Sequence, residues 1–255
     1  MPDSSAGVAA AGAVSLTHPD SPAATTTTAA PGSWRDPQDL GLSPILQHAL
    51  DAFYEHGFHG TAVRDIARRV SVTVPALYYH HENKEAILDA LLHASIDRVN
   101  LVSGQALAEA GPDPANRFLN LVECLVLYMA HSGKLAYLDN DIRALGPANR
   151  RAYTAKRRIV EQRMIDVIAD GVHAGIFEVA SPAETARALL GMIQAVASWF
   201  RLDGPLTPEE VAIHYLDIAA HTVGADPTTI AATRARPARP LAGTSAARRR
   251  PPRQR

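Results

Sequence analysis

The chain has 255 residues and is 47% hydrophobic, enough for one large or two modest domains. Its formal net charge is −1, so any contact with nucleic acid must come from a local patch and not from global charge. The single cysteine, Cys124, excludes an internal disulfide and a zinc–cysteine cluster, and suits a reducing compartment. No apolar run approaches the roughly 20 residues a membrane helix needs. No basic region followed by an apolar segment opens the chain, so a cytoplasmic protein is expected.

Residues 1–40 are mostly Ala, Ser, Thr, Pro and Gly and are expected to form a disordered tail, because they bury too little apolar surface to offset ordering entropy. From residue 41 to about 225 the apolar residues recur at spacings of three and four, with no period-two run, so an all-α fold of about nine helices is predicted. Glycine and proline break the pattern at Gly57, Gly111-Pro112, Gly133, Gly146-Pro147, Gly175, Pro182 and Gly204-Pro205. Residues 226–255 carry arginines, prolines and little acid. They read as a second disordered tail, either solubilising or attracted to phosphates.

The first predicted helix is capped by Ser43, with Pro44 in its first turn and Ile45, Leu46, Ala49, Leu50 and Phe53 on its apolar stripe. Thr61 is the expected cap of the second helix, in which Val63, Ile66, Ala67 and Val70 face inward and Arg64, Arg68 and Arg69 face outward. A tight break leads to Thr73, the cap of a third helix only about two turns long, which its neighbours must hold in place through Leu77. Asn83 caps the fourth helix. Two helices joined by a tight turn, the second short and presented to solvent, form a helix-turn-helix pattern. The adjacent His80 and His81 point about 100° apart on a helix and lack further ligands at metal spacing, so no metal site and no cofactor are expected.

The stretch from Ile45 to about Leu88 resembles the tetracycline-repressor (TetR) family of transcription regulators. The resemblance rests on Gly57-Phe58, Thr61, Asp65-Ile66-Ala67, Leu77-Tyr78-Tyr79-His80 and Lys84-Glu85 at this spacing. Three positions depart from the family pattern: Ser71 and Pro75 stand where glycine is common, and His81 where phenylalanine is. The resemblance implies a three-helix DNA-binding domain over residues 41–88 and a ligand-binding and dimerisation domain over residues 89–225. It implies that Thr61, Tyr78, Tyr79, His80 and Lys84 contact phosphates, and that Thr73, Val74 and Ala76 face bases. Two positions stay open: Tyr78 between phosphate contact and packing, and Arg64 between a solvated or phosphate-facing side chain and a base reader.

In the rear domain, Phe118, Val122, Leu125, Tyr128, Met129, Leu138, Ile142, Tyr153, Met164 and Trp199 are candidate lining residues of an apolar ligand pocket, with plain core as the alternative. Arg150, Arg151, Lys156, Arg157 and Arg158 form a basic run, either solvated or a site for an acidic ligand group; Arg157 is the chosen candidate. Small residues on the last two helices (Ala188, Gly191, Ala195, Ala197, Ala212, Ala219 and Ala220) permit close helix approach. The resemblance implies a homodimer through those helices. The segment "ASWFRLDGPLTPEE" also resembles regulators of fatty-acid and sterol breakdown, some of which sense acyl-CoA thioesters.

The expected function is therefore a dimeric repressor released from a palindromic double-stranded DNA operator by a hydrophobic effector such as an acyl-CoA. A regulator of efflux or antibiotic-related genes sensing a drug-like molecule is the second reading. An enzyme on this fold is the third; no nucleophile–base pair, glycine-rich phosphate loop or metal set supports it.

Overall fold

The computed structural model describes residues 33–36 and 40–225, in which every regular element is helical. The elements are α1 (Pro44–Gly60), α2 (Val63–Val70), α3 (Val74–His80), α4 (Lys84–Ala110), α5 (Pro114–His131), α6 (Gly133–Tyr137), α7 (Pro147–His173), α8 (Pro182–Trp199) and α9 (Pro208–Thr222). A 3-10 segment, Leu138–Ala144, continues α6, so the predicted short sixth helix is half α and half 3-10. No helix among the described residues is long and apolar enough to cross a membrane.

Capping explains most helix starts. Ser43, Thr73, Asn83, Asp113, Ser181 and Thr207 each accept a hydrogen bond from a backbone N–H in the first turn, and proline occupies the first turn of six helices after such caps or after Gly146. Thr207 and Glu210 complete a reciprocal capping box. Gly57, at φ +72°, ends the regular part of α1 before a short turn leads to α2.

The core centres on α5, which packs against α4, α7, α8 and α9. Twelve of its 18 residues are buried, as expected of a helix surrounded on most sides. At one end of this core Phe118 meets Phe177 with ring centroids 5.1 Å apart. Gly171 makes room for that pair: a Cβ there would lie 2.0 Å from the Phe177 ring.

One feature differs from the sequence reading. Residues 33–36 lie inside the stretch expected to be a disordered tail, yet Trp34 is buried and its indole N–H donates to Glu109. Arg35 stacks on the Trp34 ring and forms ion pairs with Glu109 and Glu123. One buried aromatic and an arginine with two carboxylate partners anchor the segment despite its polar surroundings. The rest of the expected tails lies outside the described residues. Helix α4 runs unbroken through residue 88, where the head is expected to end.

Candidate DNA interface and effector cavity

Helices α1, α2 and α3 form a head in which Phe53, Ile66 and Leu77 are fully buried. The turn between α2 and α3 places Ser71 in the left-handed region, at φ 60° and ψ 37°, with backbone bonds closing back to Ala67 and Arg68. This conformation explains why glycine suits that position. Leu77 pins α3 inward, and the opposite face is open. Tyr79 is 88% exposed and Tyr78 45%, while Thr73, Ala76 and His80 are also exposed. Val74 is half-buried against the core, and Arg64 is exposed on α2. The Tyr79 and His80 rings meet edge-on, 5.5 Å between centroids. Burial, with His80 alongside, lowers the pKa of His81.

Two of the expected DNA contacts are occupied inside the fold. Thr61 is 2% exposed and does not cap α2; the residue before that helix is Ala62, which makes no side-chain cap. The Thr61 hydroxyl turns back to donate to the carbonyls of Ala52 and Gly57, at 3.0 and 2.9 Å. Lys84 donates to the carbonyls of Phe58 and Thr61, at 2.7 and 2.8 Å, and its ammonium lies 4.4 Å from the Phe58 ring centroid. It acts as a bolt between α4 and the turn after α1. Both residues serve the carbonyls left over where Gly57 breaks α1.

A cavity of about 480 Å³ opens between α4, α5, α7 and α8. Leu125, Tyr128, Met129, Tyr153 and Arg157 line it, as expected. The other candidates lie elsewhere. Phe118, Val122, Leu138 and Met164 are fully buried core, Ile142 packs on the core from the 3-10 segment, and Trp199 is exposed at the end of α8. Apolar spacing alone did not separate cavity from core. Apart from Arg157 and Arg158 of the basic run, the charged and hydrogen-bonding lining was missed: Ser95, Asp139, Glu161, Arg187 and Gln194.

That polar lining is connected. Asp139 accepts from Tyr153 Oη at 2.7 Å and from Gln194 Nε2 at 2.5 Å, and pairs with Arg157 at 3.0 Å. Its side chain is only 10% exposed. At the rim, Arg187 is held by Glu161 and Glu184. Deeper, Ser95 Oγ and Tyr128 Oη share a 2.8 Å hydrogen bond. Burial pushes the Tyr128 phenol up to about 12, and burial with Asp139 alongside pushes Tyr153 up as well. Both phenols are therefore neutral donors at ordinary pH.

Comparison with known proteins places this geometry. Residues 45–91 match the bacterial regulatory proteins of the tetR family, and residues 111–223 match the tetracyclin repressor-like C-terminal domain. The chain belongs to the TetR family. It is a DNA-binding transcriptional regulator, not an enzyme. It is 25% identical over 177 residues to the HTH-type transcriptional repressor KstR2 of Mycobacterium tuberculosis, covering 68% of this chain and 88% of the relative. A 57-residue stretch is 44% identical to the class A tetracycline repressor of transposon 1721 from Escherichia coli, covering 22% and 26% of the two chains. Among solved structures, the TetR regulator PfmR of Thermus thermophilus superposes with a TM-score of 0.65 at 29% identity, covering 70% of this chain and 98% of that one. AibR, solved with isovaleryl coenzyme A and operator DNA, shares the fold with a TM-score of 0.62 at 22% identity over 71% and 97%.

Proposed function

We propose that this TetR regulator acts as a cytoplasmic homodimeric repressor, whose 41–88 head grips a palindromic operator and whose 89–225 domain releases it on binding a hydrophobic effector such as an acyl-CoA. The observation that carries the DNA reading is the open face of α3. It offers Tyr78, Tyr79 and His80 to the phosphates, and Thr73 and Ala76 to base edges, on a helix pinned from behind by Leu77. Arg64, exposed on α2, is a further phosphate contact in this reading. Thr61 and Lys84 support the head from within.

The effector reading rests on the cavity, which combines apolar walls from Ile96, Val99, Leu125 and Leu190 with arginines at its rim. That pairing suits an acyl chain attached to an acidic group. AibR, crystallised with an acyl-CoA, supports the same class here by its likeness of fold. A dimer accounts for the exposed apolar side chains on the last two helices: Met192 and Trp199 on α8, Ile213 and Ile218 on α9, and Leu202 between them. Ala188, Gly191 and Ala195 lie on the same open side, whereas Ala197, Ala212, Ala219 and Ala220 pack within the protomer. Release is a population shift: the effector favours a sensor geometry in which the two heads no longer match major grooves about 34–36 Å apart.

The test is selection of a duplex from random DNA by the full chain, followed by fluorescence anisotropy with Tyr79→Ala. The variant is expected to weaken binding on the order of tenfold for every duplex alike, since a phosphate contact carries no sequence information. Unchanged affinity would overturn the α3 orientation.

A further inference from the structure

Arg157 faces the cavity, yet it is already spoken for. Its guanidinium pairs with Asp139 at 3.0 Å. Asp139 in turn is held by Tyr153 of α7 and Gln194 of α8, so three sensor side chains converge on one carboxylate. Arg158, beside it on the rim, makes no ion pair among the described residues, whereas Arg187 is matched by Glu161 and Glu184. The rim therefore carries one open cation and one held by an exchangeable partner.

The position of Asp139 gives that exchange a consequence. It sits in the first turn of the 3-10 segment Leu138–Ala144, which is seven residues long where runs beyond about three or four are uncommon. Such a segment is poorly hydrogen-bonded by its own backbone and relies on side-chain anchors. The segment packs against α1 and α4. Its continuation, α6, is clamped to α1 twice: Lys134 pairs with Asp51 at 2.7 Å, and Tyr137 meets Tyr54 edge-on at 5.5 Å. Just beyond it, Gly146 N–H donates to Glu85 in the first turn of α4. Asp139 thus joins the cavity wall to the element that holds the DNA-binding head.

We propose that Asp139 is a latch that occupies Arg157 in the effector-free protein, and that an anionic group on the effector displaces it, freeing the 3-10 segment from the cavity wall. The proposal rests on the effector reading of the cavity and adds to it the head-group chemistry and the residue that responds. The latch works by competition. Carboxylate or phosphate oxygens on Arg157 leave the Asp139 carboxylate without its counter-charge in a nearly dry site, which favours its departure toward water. A neutral ligand of the same chain length has no means to make that exchange, so it fills the cavity without opening the latch.

The experiment uses the full chain with three probes of equal chain length: octanoyl-CoA, octanoate and octanol. Binding is read by isothermal titration calorimetry, and release of the 134–144 segment by hydrogen exchange. Asp139→Asn keeps the shape and removes the competing charge. It is expected to tighten binding of the anionic probes roughly fivefold, a change of about one coulombic contact, and to leave octanol unchanged. Its 134–144 amides are expected to exchange as fast without ligand as those of the wild type do with octanoyl-CoA. Arg157→Gln, which leaves Arg158 in place, is expected to weaken the preference for anionic probes over octanol and to end their release of the 134–144 segment. Tight octanoate binding assigns the exchange to a carboxylate; binding by octanoyl-CoA alone assigns it to the phosphates. The proposal is overturned if none of the probes binds the wild type. It is equally overturned if octanol opens the segment as well as the anions do, or if Asp139→Asn changes neither affinity nor exchange. None of these readouts uses DNA, so failure of the repressor reading leaves the result on the latch standing.

Discussion

Lys84 carries the clearest lesson at the scale of single residues. Its place after Asn83 in a TetR-like run implies a phosphate contact, but its ammonium sits on two carbonyls and an aromatic ring inside the head. Hydrogen bonds from a charged donor contribute about 1.5–3 kcal/mol each before the loss of partners is counted. Lys84→Met, which keeps the stem, is expected to lower stability by about 2–3 kcal/mol, read by urea denaturation. The dependence of DNA affinity on salt should keep its slope; a slope shallower by about one would return Lys84 to the phosphates. Cys124 is the opposite case, a titratable group without a role in the site. Burial, with Glu123 alongside, pushes its thiol up to about 12, so at pH 8 the thiolate is scarce and enclosed. A disulfide reagent is expected to leave the native chain unmodified for hours and to react at once in denaturant. Rapid reaction in the folded state would mean that α5 opens locally.

At the scale of elements, the sequence was most legible where a rule of local chemistry applies. Ser43, Thr73 and Asn83 cap the helices expected of them, and most of the anticipated glycine and proline breaks fall at a helix end, whereas Gly57 kinks α1 before its end and Gly204-Pro205 lies in the loop between α8 and α9. Thr61 followed the same rule on paper but was redirected by tertiary structure, because the carbonyls freed at the Gly57 break lie within reach of its hydroxyl. The cavity was half legible. Leu125, Tyr128, Met129, Tyr153 and Arg157 lie on helices whose sequence singles them out, whereas Asp139 is a polar residue far along the chain from Arg187 and Gln194, which share α8. Nothing local marks such residues; only the packing of α7 on α8, with Asp139 of the 3-10 segment bonded to both, brings them together. Gly171 is similar, since it reads as an unremarkable helix residue until Phe177 is found folded against it. Gly171→Ala is expected to destabilise the protein by about 1–3 kcal/mol despite the better helix propensity of alanine, because the Phe177 ring must move out of its contact with Phe118. A melting temperature equal to or above that of the wild type would show that the ring relaxes freely.

At the scale of the whole molecule, two open faces stand out among the described residues, and they differ in kind. The α3 face is polar and aromatic, suited to a wet, charged partner. The α8–α9 face sets Met192, Trp199, Ile213 and Ile218 in water on two adjacent helices, which is costly for a surface left bare. On the proposed reading, a second copy of the same face is the partner, matching a two-fold operator. The alanines divide accordingly: those buried within the protomer let α8 and α9 approach α5, while Ala188, Gly191 and Ala195 keep the outer surface of α8 low enough for a close neighbour. Trp199→Asp would place a carboxylate in the middle of such an interface, where it has no counter-charge and loses its hydration. Because Trp199 is 48% exposed in the single chain, the substitution should leave the melting temperature of the isolated protomer nearly unchanged. Sedimentation velocity is expected to move from a dimer to a monomer at micromolar concentration. Affinity for a two-half-site duplex is then expected to fall by roughly 100-fold or more, while affinity for a single half-site stays as it was, since only the linkage between heads is lost. A variant that remains dimeric with full operator affinity would place the dimer contact elsewhere on the molecule and leave the Trp199 face to another partner.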